Sequence, residues 1–464
     1  MRQKVVPALF HLHVSGELPS MFRVIGFSRR DLNDQQFREH VRSTLDKHKG
    51  ETDPSTIESF LALFHFQRGH FDDAQSYEAL KATVVLSDEE WGVCANKLFY
   101  LSVAPEFYEH ILKHLSDAHL TDPCSLNEGP PRLDGSRHVE AGWTRVIVEK
   151  PFGVDYESAR KLDELLGTLF DERQIYRIDH YLGKEMLQNI LIFRFANNLF
   201  EVPWGKSLIE RIDIRLLEEI GVEKRGAFYD SVGALRDVGQ NHLLQMLALI
   251  TMDHPQGFKS EHVRPKRAEI LNALEVPSDD DIRVHSFRAQ YDGYREIAGV
   301  APESQTETYF RVRAHITTPR WDGIPIYLEA GKRLGGTLKE IFVTFKHSTP
   351  CLCPPGLHHK NGVIIRMEPK EEILIEFWSK KPGLSMVTEE RTFHFLLREQ
   401  SARMQYIEEY KKLLLDCIRG DQTLFISTDE IRAMWRFTDP IVAAWQRGVV
   451  PLAHYSPGDK EITK

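Results

Sequence analysis

Leu98-Phe99-Tyr100-Leu101-Ser102-Val103-Ala104-Pro105 is a short apolar run closed by a proline. It is too short for a core helix and reads as a buried strand, with Pro105 opening a helix to about residue 115. The same pattern recurs on both sides. Upstream, Phe22-Arg23-Val24-Ile25-Gly26-Phe27 reads as a strand, preceded by a helix over 5–14 and the breakers Gly16 and Pro19. An amphipathic helix over 34–48 follows, with Phe37, Val41 and Leu45 on one face. Downstream, Thr144-Arg145-Val146-Ile147-Val148 is a third strand, followed by a helix over 155–170. Between them, Pro123, Gly129, Pro130, Pro131 and Gly135 mark a surface loop over 120–140. Apolar strands alternating with helices predict βαβ units and a parallel sheet covered on both faces.

Beyond about residue 175 the rhythm changes. Helices near 184–198 and 231–253 flank a strand over 210–217. Strand-like runs follow over 282–290, 306–316, 341–346, 362–367, 372–378 and 392–396. Several alternate, as in Ile373-Leu374-Ile375-Glu376-Phe377, which predicts a large antiparallel or mixed sheet with one wet face. Helices over 403–419 and 428–447 close the chain. The fold class is therefore α/β followed by α+β, with domains over 1–175 and 176–464.

The 464 residues exceed one ordinary core. Hydrophobic residues at 42% and charged residues at 27% describe a globular protein. A net charge of -9 removes the electrostatic case for nucleic acid, although local lysines can still hold an anion. Five irregularly spaced cysteines fit a reducing compartment. No apolar run has membrane-spanning length, and the start, Met1-Arg2-Gln3-Lys4-Val5-Val6-Pro7, lacks a signal-peptide pattern. The expected location is the cytoplasm. Cys351-Leu352-Cys353 with His358 and His359 is too cramped for a metal site and reads as a loop with incidental thiols.

Three segments carry the chemistry: Arg177-Ile178-Asp179-His180-Tyr181-Leu182-Gly183-Lys184-Glu185, Glu149-Lys150-Pro151-Phe152-Gly153, and Arg236-Asp237-Val238-Gly239-Gln240-Asn241-His242-Leu243. With Gly331-Lys332-Arg333-Leu334 and Gly420-Asp421-Gln422-Thr423-Leu424-Phe425, they resemble the glucose-6-phosphate dehydrogenase family in order along nearly the whole chain. The resemblance implies an N-terminal Rossmann-like domain, NADP as cofactor, glucose 6-phosphate as substrate, and a homodimer or dimer of dimers. It implies His242 as the base, oriented by Asp179. A histidine suits that task because its ordinary pKa of about 6.5 lies near working pH. Substrate contacts are implied for Lys150, His180, Tyr181, Lys184, Glu218, Asp237 and Lys332. If Gly183 breaks the chain, Lys184 stands at a helix start, where anions are favoured.

On the cofactor side, the strand at 22–27 ends in Ser28-Arg29-Arg30, with no acid before Asp31. An arginine there accommodates the extra phosphate of NADP. The resemblance adds Tyr100, the turn Val103-Ala104-Pro105, and Lys150. No metal is implied.

Two departures stand out. The family often has a second basic residue five places after Lys332; this chain has Thr337 there and Lys339 two places on. Either Lys339 substitutes or that phosphate contact is weaker. The family also begins with a strand and a Gly-x-x-Gly-Asp-Leu turn, whereas this sequence starts inside the following helix. The expectation is either an internal start in a longer protein or a shortened chain that holds cofactor poorly. Competing readings are a related sugar dehydrogenase of the Glu-Lys-Pro type and a silent sugar-phosphate-binding homologue.

Overall fold

The computed structural model describes residues 4–46, 52–122, 142–201, 204–347, 350, 358–398 and 402–462. The loop residues Pro123 to Gly135 and the Cys351-Leu352-Cys353 run lie outside the described residues. In chain order the strands are β1 (Val24–Ser28), β2 (Phe64–Arg68), β3 (Lys97–Leu101), β4 (Thr144–Glu149) and β5 (Ile175–Ile178). Then come β6 (Ile209–Leu217), β7 (Ser286–Tyr291), β8 (Tyr309–Ala314), β9 (Ile326–Gly331) and β10 (Leu338–Phe345). The last are β11 (Gly362–Glu368), β12 (Glu371–Lys380), β13 (Thr388–Arg398), β14 (Phe425–Ile426) and β15 (Leu452–Tyr455).

The chain forms two compact units. The first comprises Met1–Gly153, Glu157–Gly183 and Ala402–Ile426; the second comprises Val154–Tyr156, Lys184–Ser401 and Ser427–Lys464.

In the first unit β1 and β2 pair in parallel, and β3, β4 and β5 pair in parallel with β14 added antiparallel. Val146, Ile147 and Val148 in β4 are fully buried, as a strand covered on both faces requires. The helix Asp34–Leu45 buries Phe37, Val41 and Leu45, and starts on a reciprocal cap between Asn33 and Gln36. The returning segment is stitched to β5 by the Gln422 amide, which donates to Glu172 O at 2.8 Å and Ile175 O at 3.0 Å. Buried Arg177 is neutralised by Asp163 at 2.6 Å and Glu172 at 2.8 Å. Gly153 adopts φ +81°, and a Cβ there would lie 2.4 Å from Ala159 N, so only glycine fits this turn after Lys150.

The second unit is built on a nine-stranded sheet of order β13-β12-β11-β10-β6-β9-β8-β7-β15. Its pairs are antiparallel except β6 with β9 and β7 with β15. Ile212, Ile214, Ile326, Leu328, Ile341, Val343 and Ile365 fill its covered face.

The reading of a single strand over 282–290 is corrected. Asp279–His285 is helical, and β7 begins only at Ser286. Ser278 caps the helix by accepting from Asp281 N while Asp281 reciprocates, and three aspartates favour the first turn. The helix Ser260–Asn272, which precedes it, has a weakly amphipathic sequence interrupted by Pro265.

Candidate functional site

In the first unit, the residues singled out from sequence follow the carboxyl ends of its parallel strands, where α/β sheets bind ligands. Arg29 comes directly after β1 and is exposed. Lys150 follows β4, and Asp179, His180 and Tyr181 follow β5. Asp179 is wholly buried and accepts from Tyr181 N at 3.0 Å, which fixes the short turn His180–Gly183. The His180 ring meets Tyr181 edge-on at 5.2 Å and stacks toward Tyr410 at 6.5 Å.

Tyr100 donates to the Glu149 carboxylate. The same oxygen accepts from Tyr410 at 3.0 Å, and Lys4 reaches Tyr410 at 2.9 Å and Glu149 at 3.7 Å. Glu149 is therefore the hub of this cluster. Sequence reasoning quoted it within a motif but gave it no task. Tyr410 and Lys4 went unnoticed because they lie far from Glu149 in sequence.

In the second unit, Glu218 and Lys332 follow directly on the parallel strands β6 and β9, whose last residues Leu217 and Gly331 are register partners. Glu218 N donates to Gly331 O at 2.9 Å. Their side chains meet at 2.7 Å, and Lys332 lies 3.9 Å from Asp237. Burial alone would raise the Glu218 carboxyl, but the Lys332 and Lys339 ammonium groups outweigh it and hold the pKa below its ordinary value. Lys184, 5% exposed, is the N-cap of the helix Glu185–Phe195 and reaches Glu368 at 3.8 Å. Lys339 joins the two halves of this network, 3.6 Å from Glu218 and 3.0 Å from Glu368. Thr337 instead accepts from Glu219 N at 3.4 Å through its hydroxyl.

Asp237 and His242 lie on Leu235–Leu243, a π-helical stretch between α-helices Gly226–Ala234 and Leu244–Thr251. Bonding from i to i+5 stacks residues five apart, so Asp237 and His242 share a side that an α-helix would separate. The stretch packs on β6 and β9. Gly233, at φ 75° and ψ 169°, breaks the preceding helix, and buried Glu307 accepts from Leu235 N at 2.9 Å. A Cβ at Gly233 would lie 2.5 Å from that carboxylate. His242 is 2% exposed, and its backbone N donates to the Asn241 side chain at 2.7 Å. The sequence reading took this segment as one helix. Its warning was Gly233 and Gly239 within an otherwise helical run.

For a dinucleotide, the end of β1 presents a cation. Asp31, the nearest acid, is engaged by Arg68 at 3.1 Å, and Arg29 is exposed. Tyr100 lies near the carboxyl end of β3 and Lys150 directly follows β4, both strands of the unit's other sheet. These residues fit a nicotinamide dinucleotide.

Comparison with known proteins gives the family. Residues 1–189 match "Glucose-6-phosphate dehydrogenase, NAD binding domain", and residues 191–463 match "Glucose-6-phosphate dehydrogenase, C-terminal domain". A glucose-6-phosphate 1-dehydrogenase of Chlamydia muridarum is 35% identical over 96% of this chain and 88% of its own length. One from Aggregatibacter actinomycetemcomitans is 38% identical over 95% and 87% respectively. A solved glucose-6-phosphate dehydrogenase in complex with glucose-6-phosphate superimposes with TM-score 0.87 at 32% identity, covering 99% of this chain and 92% of that one. A Mycobacterium avium glucose-6-phosphate 1-dehydrogenase structure gives TM-score 0.81 at 30% identity, with the same coverage. Matched in both domains and along nearly its full length, the chain belongs to the glucose-6-phosphate dehydrogenase family.

Proposed function

We propose that the chain oxidises D-glucose 6-phosphate at C1 to 6-phospho-D-glucono-1,5-lactone, the entry step of the oxidative pentose phosphate pathway, with NADP as acceptor. The observation that carries this reading is the convergence of Lys184, Glu218, Asp237 and Lys332, from four separate segments, at one end of the large sheet. Cations at that place suit a phosphate, and carboxylates accept from sugar hydroxyls. His180 and Tyr181 add donors to the phosphate, and Lys150 bears on both sugar and cofactor. His242 takes the C1 hydroxyl proton, with Asp179 as the carboxylate that fixes its tautomer and favours the imidazolium. The bound nicotinamide supplies the hydride acceptor. Arg29 favours NADP over NAD, with Tyr100 along the cofactor.

The proposed assembly is a homodimer through the outer strands of the nine-stranded sheet. β13 is an edge strand, and Phe393, Phe395, Leu384 and Met386 on it and its hairpin are exposed. Such a patch on an open edge suits a second copy of this chain. The proposed location is the cytoplasm. An Arabidopsis thaliana relative is named cytoplasmic, and no described helix is long and apolar enough to cross a membrane.

Absorbance of reduced nicotinamide tests the reaction. Turnover is expected with glucose 6-phosphate and NADP, and far less with free glucose. Equal use of both sugars would point to another Glu-Lys-Pro dehydrogenase. Sugar-phosphate binding without turnover would point to a silent homologue.

A further inference from the structure

We infer that Lys339 acts with Lys184 as a second cation for the substrate's phosphate, and that Glu368 holds the two lysines until the phosphate displaces it. This rests on the proposed substrate.

The strand ladder sets the pair up. β10 and β11 run in register from Val343 opposite Val363 to Glu340 opposite Arg366, and the next pair is Lys339 with Glu368. Met367 is thus unopposed. A bulge of this kind redirects side chains at the end of a ladder. Here it sets Glu368 facing Lys339 at the end of the face on which Ile341 and Val343 are fully buried. The helix Glu185–Phe195 packs against β11, and its N-cap is Lys184.

Two ammonium groups consequently converge on one atom. Glu368 Oε1 lies 3.0 Å from Lys339 Nζ and 3.8 Å from Lys184 Nζ. Both lysines are largely buried, at 12% and 5% exposed, so neither is a solvated surface charge. Lys339 also lies 3.6 Å from Glu218, which bonds Lys332 at 2.7 Å. A carboxylate oxygen bridging two buried lysines occupies the place of an anionic oxygen, which a phosphate monoester could supply with greater charge. Thr337 carries no charge and engages Glu219, so the cation on this side of the network is Lys339.

Calorimetric titration of the full chain with glucose 6-phosphate, free glucose and NADP tests the assignment without requiring turnover. Lys339→Ala is expected to weaken glucose 6-phosphate binding by about ten- to a hundredfold, the size of one charge-assisted hydrogen bond. NADP affinity should not change, and Lys339→Arg should restore most of the loss. Glu368→Gln should tighten glucose 6-phosphate and inorganic phosphate binding, because it removes the internal competitor. A purely structural role for the pair would not produce that gain. Unchanged affinity in Lys339→Ala, a loss confined to NADP, or no tightening in Glu368→Gln each overturns the inference while leaving the proposed substrate standing. Failure of the unaltered protein to bind glucose 6-phosphate overturns the proposed substrate and this inference together.

Discussion

The roles proposed for His242 and Lys184 separate kinetically. Replacing an acid–base group removes transition-state assistance, so His242→Asn is expected to lower kcat by about 10²- to 10⁴-fold. Glucose 6-phosphate affinity, read by equilibrium titration, should stay close to that of the unaltered protein. Lys184→Ala removes a cation from ground-state binding. It should raise KM about tenfold or more with a smaller effect on kcat, and an unchanged KM would exclude the lysine from the phosphate site. Both could be proposed from sequence because each sits in a short motif of specific composition. Lys339 was legible only as a question, since its partner Glu368 lies 29 residues away on the neighbouring strand. Glu149 was likewise visible as a letter in a motif. Its three side-chain partners come from residues 4, 100 and 410 and had no local signal.

The π-helical stretch decides which side Asp237 and His242 present. Its first free N–H groups are met by Glu307, whose carboxyl is pushed above its ordinary value chiefly by burial, opposed by the Leu235 N–H. Because the folded state keeps that proton longer than the unfolded chain, stability is full below the unfolded pKa and falls as pH rises toward the folded value. Glu307→Gln retains an acceptor for Leu235 but carries no charge. Its melting temperature should exceed that of the unaltered protein at pH 7 to 8, and the gap should close as pH falls toward 4.5, the ordinary glutamate value. A gap independent of pH would assign the effect to packing. Gly233→Ala should lower the melting temperature and kcat together, since φ 75° and the 2.5 Å approach to Glu307 both penalise a Cβ. Periodicity could not reveal this element. α- and π-helical segments share the same apolar content, and the insertion is set by what Glu307 and Gly233 permit. The helix Asp279–His285 was different: Ser278 and Asp281 signalled it, but the apolar residues beyond it masked the cap.

For the whole molecule, the prediction concerns the proposed homodimer. Phe393→Glu with Phe395→Glu places charge on the exposed face of β13 without touching the covered core. Light scattering should show a shift from dimer to monomer, or a dissociation constant raised by at least a hundredfold at micromolar protein. A dimer that persists would place the interface elsewhere. The path of the chain was the least legible feature at this scale. Residues 402–426 leave the second unit, return to the first, and add β14 to β5. Nothing in the helix Ala402–Arg419 announces this, because an amphipathic face states that it will be buried but not against what.

By itself the sequence determined the two classes of sheet, through continuous apolar strands in one part and alternating strands in the other. It also determined the inventory of histidine, lysine and carboxylate, because short motifs carry that chemistry locally. Only the tertiary structure decided the order of the nine strands, the bulge that sets Glu368 against Lys339, and the π-helical turn beneath His242. Each of these depends on groups far apart in the chain meeting at a few ångströms. Periodicity and composition report how a residue relates to its neighbours in sequence, and a charge's partner across a sheet is not among them.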